Sequence, residues 1–238
     1  MKSVSVQWTR DVSLMEARTA LEGIAGAFEA AIRIAADNGF DLGRPEMRPF
    51  GTWHIPGVEM GSPYWSTRWY VTESLNPATG RIRGESFIDV IRDEPWQKMG
   101  AHYDVALVHF DLEAASEKMV TVDGASFALS ATEANLAAVI SVLRLRELSD
   151  DDDFGTALRR LAAHSVGHVI EAASPDRSTV QDSFGEPHCT NVCVMRHAAT
   201  VPEVLEFARE EHEAEVLFCE ECASDILNHG LRHHFGAN

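Results

Sequence analysis

Basic residues are scarce in this chain. It carries 20 Lys and Arg against 37 Asp and Glu, a formal net charge of -17 over 238 residues. A surface of that sign repels nucleic acid and anionic membranes, so neither is an expected partner, and a neutral or basic ligand is easier to accommodate. No run of about 18 apolar residues occurs, so no membrane span is expected. The opening stretch, MKSVSVQWTRDVSLMEARTA, lacks a long apolar core and a small-residue cleavage site, so no secretion signal is read. Internal repeats and long low-complexity tracts are missing. So are a P-loop, a GxGxxG after a strand and a GxSxG, which leaves nucleotide hydrolysis and serine-type catalysis without support. Cysteine is absent until Cys189, then follow Cys193, Cys219 and Cys222. In a chain read as cytoplasmic these thiols stay reduced, which favours metal binding over disulfides.

What is present is an ample core: 45% of residues are hydrophobic, enough for one large domain or one domain with a small appendage. Ser13 to Asn38 reads as a long helix, with a Ser13/Glu16 capping box, apolar residues at helical spacing and Gly39 beyond its end. Residues 43–64 are rich in Pro and Gly and read as loop, and 64–73, aromatic and β-branched, as a strand. A turn is expected at 76–80, a short helix at 85–94 and a buried strand at 103–112. Strand, turn and strand are expected over 118–130, and a helix over 131–149. Residues 150–153, DDDD, read as an acidic loop that can place negative charge at the next helix N-terminus. That helix is 154–173. A loop over 174–188, a helix over 200–216 and a terminal helix complete the order. The class is α+β or α/β, built on a central mixed sheet.

The cysteines fall into two tight pairs, Cys189/Cys193 and Cys219/Cys222. Each pair closes a small loop, which is how a chain builds a tetrahedral thiolate site; four thiolates close the shell, so the role is structural. His164 and His168, four apart, share one helix face. Gly167 between them is a poor helix residue and suggests that something packs against its backbone. Two histidines at this spacing are also common as plain surface or core residues. His188 strengthens the metal reading, because it directly precedes Cys189 and the thiolate site would anchor it nearby. Three protein ligands with one open position is the arrangement of a catalytic zinc. His229, His233 and His234 read as a frayed terminus and His212 as a surface residue. Trp53, Trp65, Trp69 and Trp96 read as core packing, with a substrate cleft as the alternative.

The run HSVGH…HCTNVCVM…FCEEC resembles the archaemetzincins, zinc peptidases of the metzincin group, whose pattern is HExGHxxGxxHCxxxxCxM followed by CxxC. The resemblance implies a catalytic zinc on His164, His168 and His188, a structural zinc on Cys189, Cys193, Cys219 and Cys222, and Met195 in a tight turn beneath the catalytic metal. Gly167 matches the Gly of HExGH, and Phe218 an aromatic before the CxxC. More loosely, 83–91 resembles the family's early helix, 104–112 a central strand and 126–130 the edge strand beside the cleft. The implied fold is a zincin: a twisted mixed sheet with an antiparallel edge strand, an active-site helix, and a small C-terminal subdomain stabilised by zinc. Residues 1–173 would form the N-terminal part and 174–238 the C-terminal one.

The chain departs from this pattern where catalysis is concerned. Ser165 stands at the position of the general-base Glu, and a Ser hydroxyl cannot accept a proton from water at neutral pH. Glu171 replaces the second family Gly. His168 to His188 is 20 residues, against six in the family pattern. The inserted stretch brings new acids, among them Glu186. Three readings stay open. The first is a zinc hydrolase of a narrow peptide or amide-like substrate, with Glu171 or Glu186 as base beside Ser165. The second is a zinc-stabilised binding module without catalysis. The third is a non-hydrolytic zinc enzyme of a biosynthetic pathway.

Overall fold

The computed structural model describes residues 1–113, 118–120, 126–183 and 185–234. The turn expected at 121–125 lies outside the described residues. Five strands form the central sheet in the order β2-β1-β4-β9-β8. They are β1 (Val4–Trp8), β2 (Met47–Gly51), β4 (Tyr103–Val108), β8 (Ser130–Glu133) and β9 (Ala137–Ser141). The first four in that order run parallel, and β8 pairs antiparallel with β9 at the edge. The sheet is therefore mixed. A small second sheet joins β3 (Ile82–Arg83), β5 (Leu112–Glu113), β7 (Ser126–Ala128) and β6 (Lys118–Val120). A hairpin of β10 (Val180–Ser183) and β11 (Glu186–Cys189) stands apart.

Alternation along β4 divides the core. Tyr103, Val105 and Leu107 point to one face, where α1 (Leu14–Asp37) and α5 (Asp151–Val169) lie; Ala106 and Val108 point to the other, towards α2 (Thr67–Ser74), α3 (Gly84–Arg92) and α4 (Pro95–Met99). The remaining helices, α6 (Val201–Glu213) and α7 (Glu220–His234), flank α5 and α1. Helix α1 begins as expected: Ser13 Oγ accepts from Glu16 N and Glu16 returns the bond to Ser13 N. It crosses α5 closely at Gly23, where a Cβ would sit 2.3 Å from the Arg159 carbonyl oxygen.

Several expectations are corrected. Residues 64–73 form no strand: Ser66 opens helix α2, whose Tyr70 packs among Trp53, Tyr64 and Trp69. Aromatic content there serves packing on a helix, a tertiary override of strand propensity. Residues 131–149 are not a helix but the ends of a β-hairpin, β8 and β9, and a short 3-10 turn at Arg144–Glu147. Every residue of β9 is buried, since it lies between β4 and β8. An apolar run covered on both faces has no period to separate strand from helix. The antiparallel edge strand is β8, not 126–130, most of which belongs to the small sheet. The expected loops at 43–64 and 174–188 contain β2 and most of the β10–β11 hairpin. The acidic run is not a loop either: Asp150 caps α5, accepting from the amides of Asp152 and Asp153, and 151–153 form its first turn. The strand β1 precedes the first element expected from the sequence.

Candidate metal centres

Helix α5 supplies His164 and His168 one turn apart. Their Nε2 atoms approach to 3.2 Å, and the His188 ring stacks on His164 at 5.4 Å between centroids. All three imidazoles are buried. A carbonyl can only accept, so the contact of His164 Nδ1 with Val194 O at 2.6 Å puts the proton on Nδ1 and turns the Nε2 lone pair inward. His188 Nδ1 meets the Glu186 carbonyl at 3.0 Å in the same way. A metal–nitrogen bond of about 2.0–2.1 Å sets a tetrahedral N···N edge of about 3.3–3.4 Å, close to the His164–His168 separation. The donor set therefore fits a metal ion.

Cys189, Cys193, Cys219 and Cys222 are free thiols gathered into a second cluster. Sγ atoms lie 3.7 Å apart in the pairs Cys189/Cys219 and Cys193/Cys222. A metal–sulfur bond of about 2.3 Å sets a tetrahedral edge of about 3.8 Å. The pairs in contact thus join the two halves of the motif. Asn191 N approaches Cys189 Sγ at 3.4 Å, Asn191 Nδ2 approaches Cys219 Sγ at 3.5 Å and the Arg177 guanidinium approaches Cys222 Sγ at 3.4 Å. Donors aimed at sulfur favour thiolate over thiol.

Strand β11 couples the clusters. Successive strand side chains point to opposite faces, so His188 joins the imidazoles while Cys189 joins the thiols. Glu186, two residues before His188, shares its face. Its Oε2 lies 3.6 Å from His168 Nε2 and takes no hydrogen bond among the described residues, while Thr132 Oγ1 donates to Oε1 at 2.9 Å. Glu186, His168 and Thr132 line a cleft of about 570 Å³, whose wall includes Asp176, Glu171 and Arg232.

Ser165 and Glu171 are placed differently. Ser165 is fully buried and its hydroxyl donates to the Leu161 carbonyl at 2.8 Å, a bond within the helix. Glu171 ends α5 in the left-handed region, at φ 53°, with Ala172 N bonded back to Gly167 O at 2.8 Å. The sharp turn is kept although a Glu makes it. The Glu171 carboxylate meets His229 Nδ1 at 2.8 Å and Arg232 at 3.0 Å, with His233 at 3.4 Å. Burial raises its pKa, but the His229 hydrogen bond and the Arg232 charge outweigh this and hold it below the usual carboxylate range. His229 is itself buried in α7 against Tyr103, not frayed. Sequence reasoning missed that role, although the i, i+4 spacing of His229 and His233 was a signal for a shared helix face, and it missed His197, whose ring lies 4.8 Å from that of His188.

Gly167 has the close neighbour its sequence suggested. A Cβ there would lie 2.2 Å from Met195 Sδ and 3.4 Å from the Phe218 ring. The Met195 turn is anchored where Cys189 N donates to Met195 O at 3.0 Å.

Mixed sheet, three-imidazole cluster and four-thiol cluster together define an α/β protein with two candidate metal centres. No protein-family model matches the chain. It is 32% identical to the archaemetzincin of Archaeoglobus fulgidus over 110 residues, 46% of this chain and 55% of that protein; the match thus spans about half of the relative's length. The crystal structure of archaemetzincin from Methanopyrus kandleri superposes with a TM-score of 0.60, covering 98% of this chain and 96% of that one, at 16% identity. The chain is archaemetzincin-like, and divergent.

Proposed function

We propose that this protein is a zinc-dependent hydrolase of a peptide or amide-like substrate, with Glu186 in the role of general base. One zinc would sit on His164, His168 and His188, and a second, structural one on the four cysteines. In this reading residues 174–238 form a C-terminal subdomain held by the thiolate zinc, beside an N-terminal part, residues 1–173, that includes α5. Free thiols, three of the four buried, fit a cytoplasmic setting; no helix among the described residues is long and apolar enough to cross a membrane.

The observation that carries the proposal is the Glu186 carboxylate, with one oxygen held by Thr132 and the other facing His168 without a hydrogen bond. A three-imidazole zinc supplies Lewis-acid polarisation of a carbonyl and acidification of a water. Glu186 would take the proton from that water, a task Ser165 cannot perform. Glu171 is less suited, since its ion pairs hold it in the unprotonated, weakly basic form. The cleft walls hold the substrate and narrow its choice.

The same contact supports a second reading. Glu186 Oε2 is near enough to His168 to act as a fourth ligand, closing the shell and leaving a binding module without catalysis. Hydrolysis of a peptide and N-acyl amide library by the zinc-loaded protein separates the two. We expect Glu186→Gln to lower the rate by about 10²–10⁴-fold, the usual worth of a positioned base, with zinc content unchanged and Glu171→Gln near wild type. Hydrolysis that survives Glu186→Gln overturns the assignment. No hydrolysis by wild type, with zinc lost from Glu186→Gln, establishes the closed site.

A further inference from the structure

The far face of the sheet carries a second cluster of buried ionisable groups. Glu94, His102 and Asp104 are 1%, 6% and 2% exposed. They lie at a cavity of about 540 Å³ that shares no lining residue with the cleft of the histidines. Its walls are aromatic and apolar: Phe50, Trp53, Ile55, Tyr70, Trp96 and Met99. Three of these, Phe50, Ile55 and Met99, also stand exposed at its mouth.

The polar groups have a definite order. Tyr70 Oη donates to Glu94 Oε1 at 2.5 Å, and Glu94 Oε2 accepts no hydrogen bond among the described residues. Asp104 is held by Gln97 at 2.7 Å and by His102 Nε2 at 3.1 Å, and the same imidazole nitrogen is 3.9 Å from Glu94. One imidazole therefore faces two carboxyl groups. The cation at the rim, Arg48, is engaged by Glu46 at 2.5 Å. Burial, then the Asp104 charge, push Glu94 up to about 8, so this carboxyl ionises reluctantly unless a positive charge is placed beside it.

The aromatic groups are built around this carboxyl. Trp53 packs edge-on to Trp96 at 5.6 Å and to Tyr70 at 6.3 Å, and its indole donates to Gln7 at 3.3 Å. Tyr64 braces Trp96 and Tyr70 from behind with its backbone at φ 57°, a costly conformation for a bulky residue. Aromatic side chains lining a cavity beside a buried carboxyl, one of whose oxygens accepts no hydrogen bond among the described residues, suit a positive head on an apolar body: the cation favours the ionised carboxyl and pairs with it, and the rings add cation–π attraction.

We propose that this cavity is a binding site for a small organic cation, an ammonium group on an aromatic or aliphatic body, with the positive head towards Glu94 and the body between Trp53, Trp96 and Phe50. An inorganic ion would leave most of the apolar volume unfilled. The proposal is independent of the zinc chemistry.

Benzyltrimethylammonium is a suitable probe, because it has no lone pair and cannot ligate a metal in the other cleft. Calorimetric titration of the full metal-loaded chain, followed in parallel by tryptophan fluorescence, should give saturable binding. Benzyl alcohol, similar in its aromatic body but neutral, should bind at least about tenfold more weakly, a factor worth ~1.4 kcal/mol. Glu94→Gln should weaken the ammonium by a similar factor. Met99→Lys, at an exposed rim position where folding is not at stake, should also weaken it. Equal binding of benzyl alcohol, no saturable response from wild type, or indifference to both substitutions overturns the proposal. A response to Mn²⁺ that Glu94→Gln removes, with none to the ammonium, overturns it in favour of a metal site.

Discussion

Gly167 shows how a single residue links fold to site. Helix propensity alone favours Ala at this position by about 1 kcal/mol. The Met195 side chain, fully buried, leaves a Cβ no space, at 2.2 Å from its sulfur. Overpacking of this kind costs about 1–3 kcal/mol. The strain would fall on the Met195 turn, which adjoins the Val194 carbonyl that orients His164. Gly167→Ala should therefore lower the melting temperature by several degrees, at about 2–4 °C per kcal/mol for a chain of this size. It should also weaken metal retention at the histidines. An unchanged or raised melting temperature would mean that Met195 moves aside freely. The glycine's need for a close neighbour was legible in the sequence; which residue fills the space was not, because Met195 is 28 positions away.

At the scale of elements, the two clusters differ in what they tie together. The histidines join α5 to β11. The cysteines join β11, the turn at 190–195 and the start of α7. Cys219→Ser should thus loosen three segments where His168→Ala loosens two. A structural zinc contributes on the order of 10 kcal/mol in small domains, and the large core beside it reduces that share. We expect a clearly greater loss of thermal stability from Cys219→Ser than from His168→Ala. Equal melting curves would contradict a division into structural and catalytic centres. Here local pattern succeeded at short motifs such as the capping box and at the buried strand expected over 103–112, most of which is β4, and failed at 131–149. The capping box of α1 and the HxxxH face of α5 rest on neighbours within one turn. Residues 131–149 have no such marker, and their fate as β8 and β9 depends on strands 30 to 130 positions earlier.

The whole molecule carries a formal net charge of -17. Most ion pairs lie on the surface and are worth about 0–1 kcal/mol each. The Arg160–Glu211 pair, with side chains 4% and 6% exposed, is shielded from salt. Net self-repulsion at -17 should then outweigh the surface pairs. Raising ionic strength from about 0.01 M to about 0.15 M shortens the screening length from about 30 Å to about 8 Å. The melting temperature should rise over that range in sodium chloride. A fall would show that attractive pairs dominate the surface field.

From the sequence came the two cysteine pairs, the HxxxH face of the orienting helix and the close neighbour of Gly167; the expectation that Ser165 stands where a base would be came only from the resemblance to the archaemetzincins. The first three depend on residue type and on short spacing, which the chain carries wherever it folds. Only the tertiary structure decided the rest. It set Glu186 beside His168, gave Glu171 to His229 and Arg232, and gathered Trp53, Tyr70, Trp96 and Glu94 into a cavity on the far face. The physical reason is common to all three. A carboxylate takes its role from the charge and burial around it, and those are set by segments that meet only after the sheet has closed.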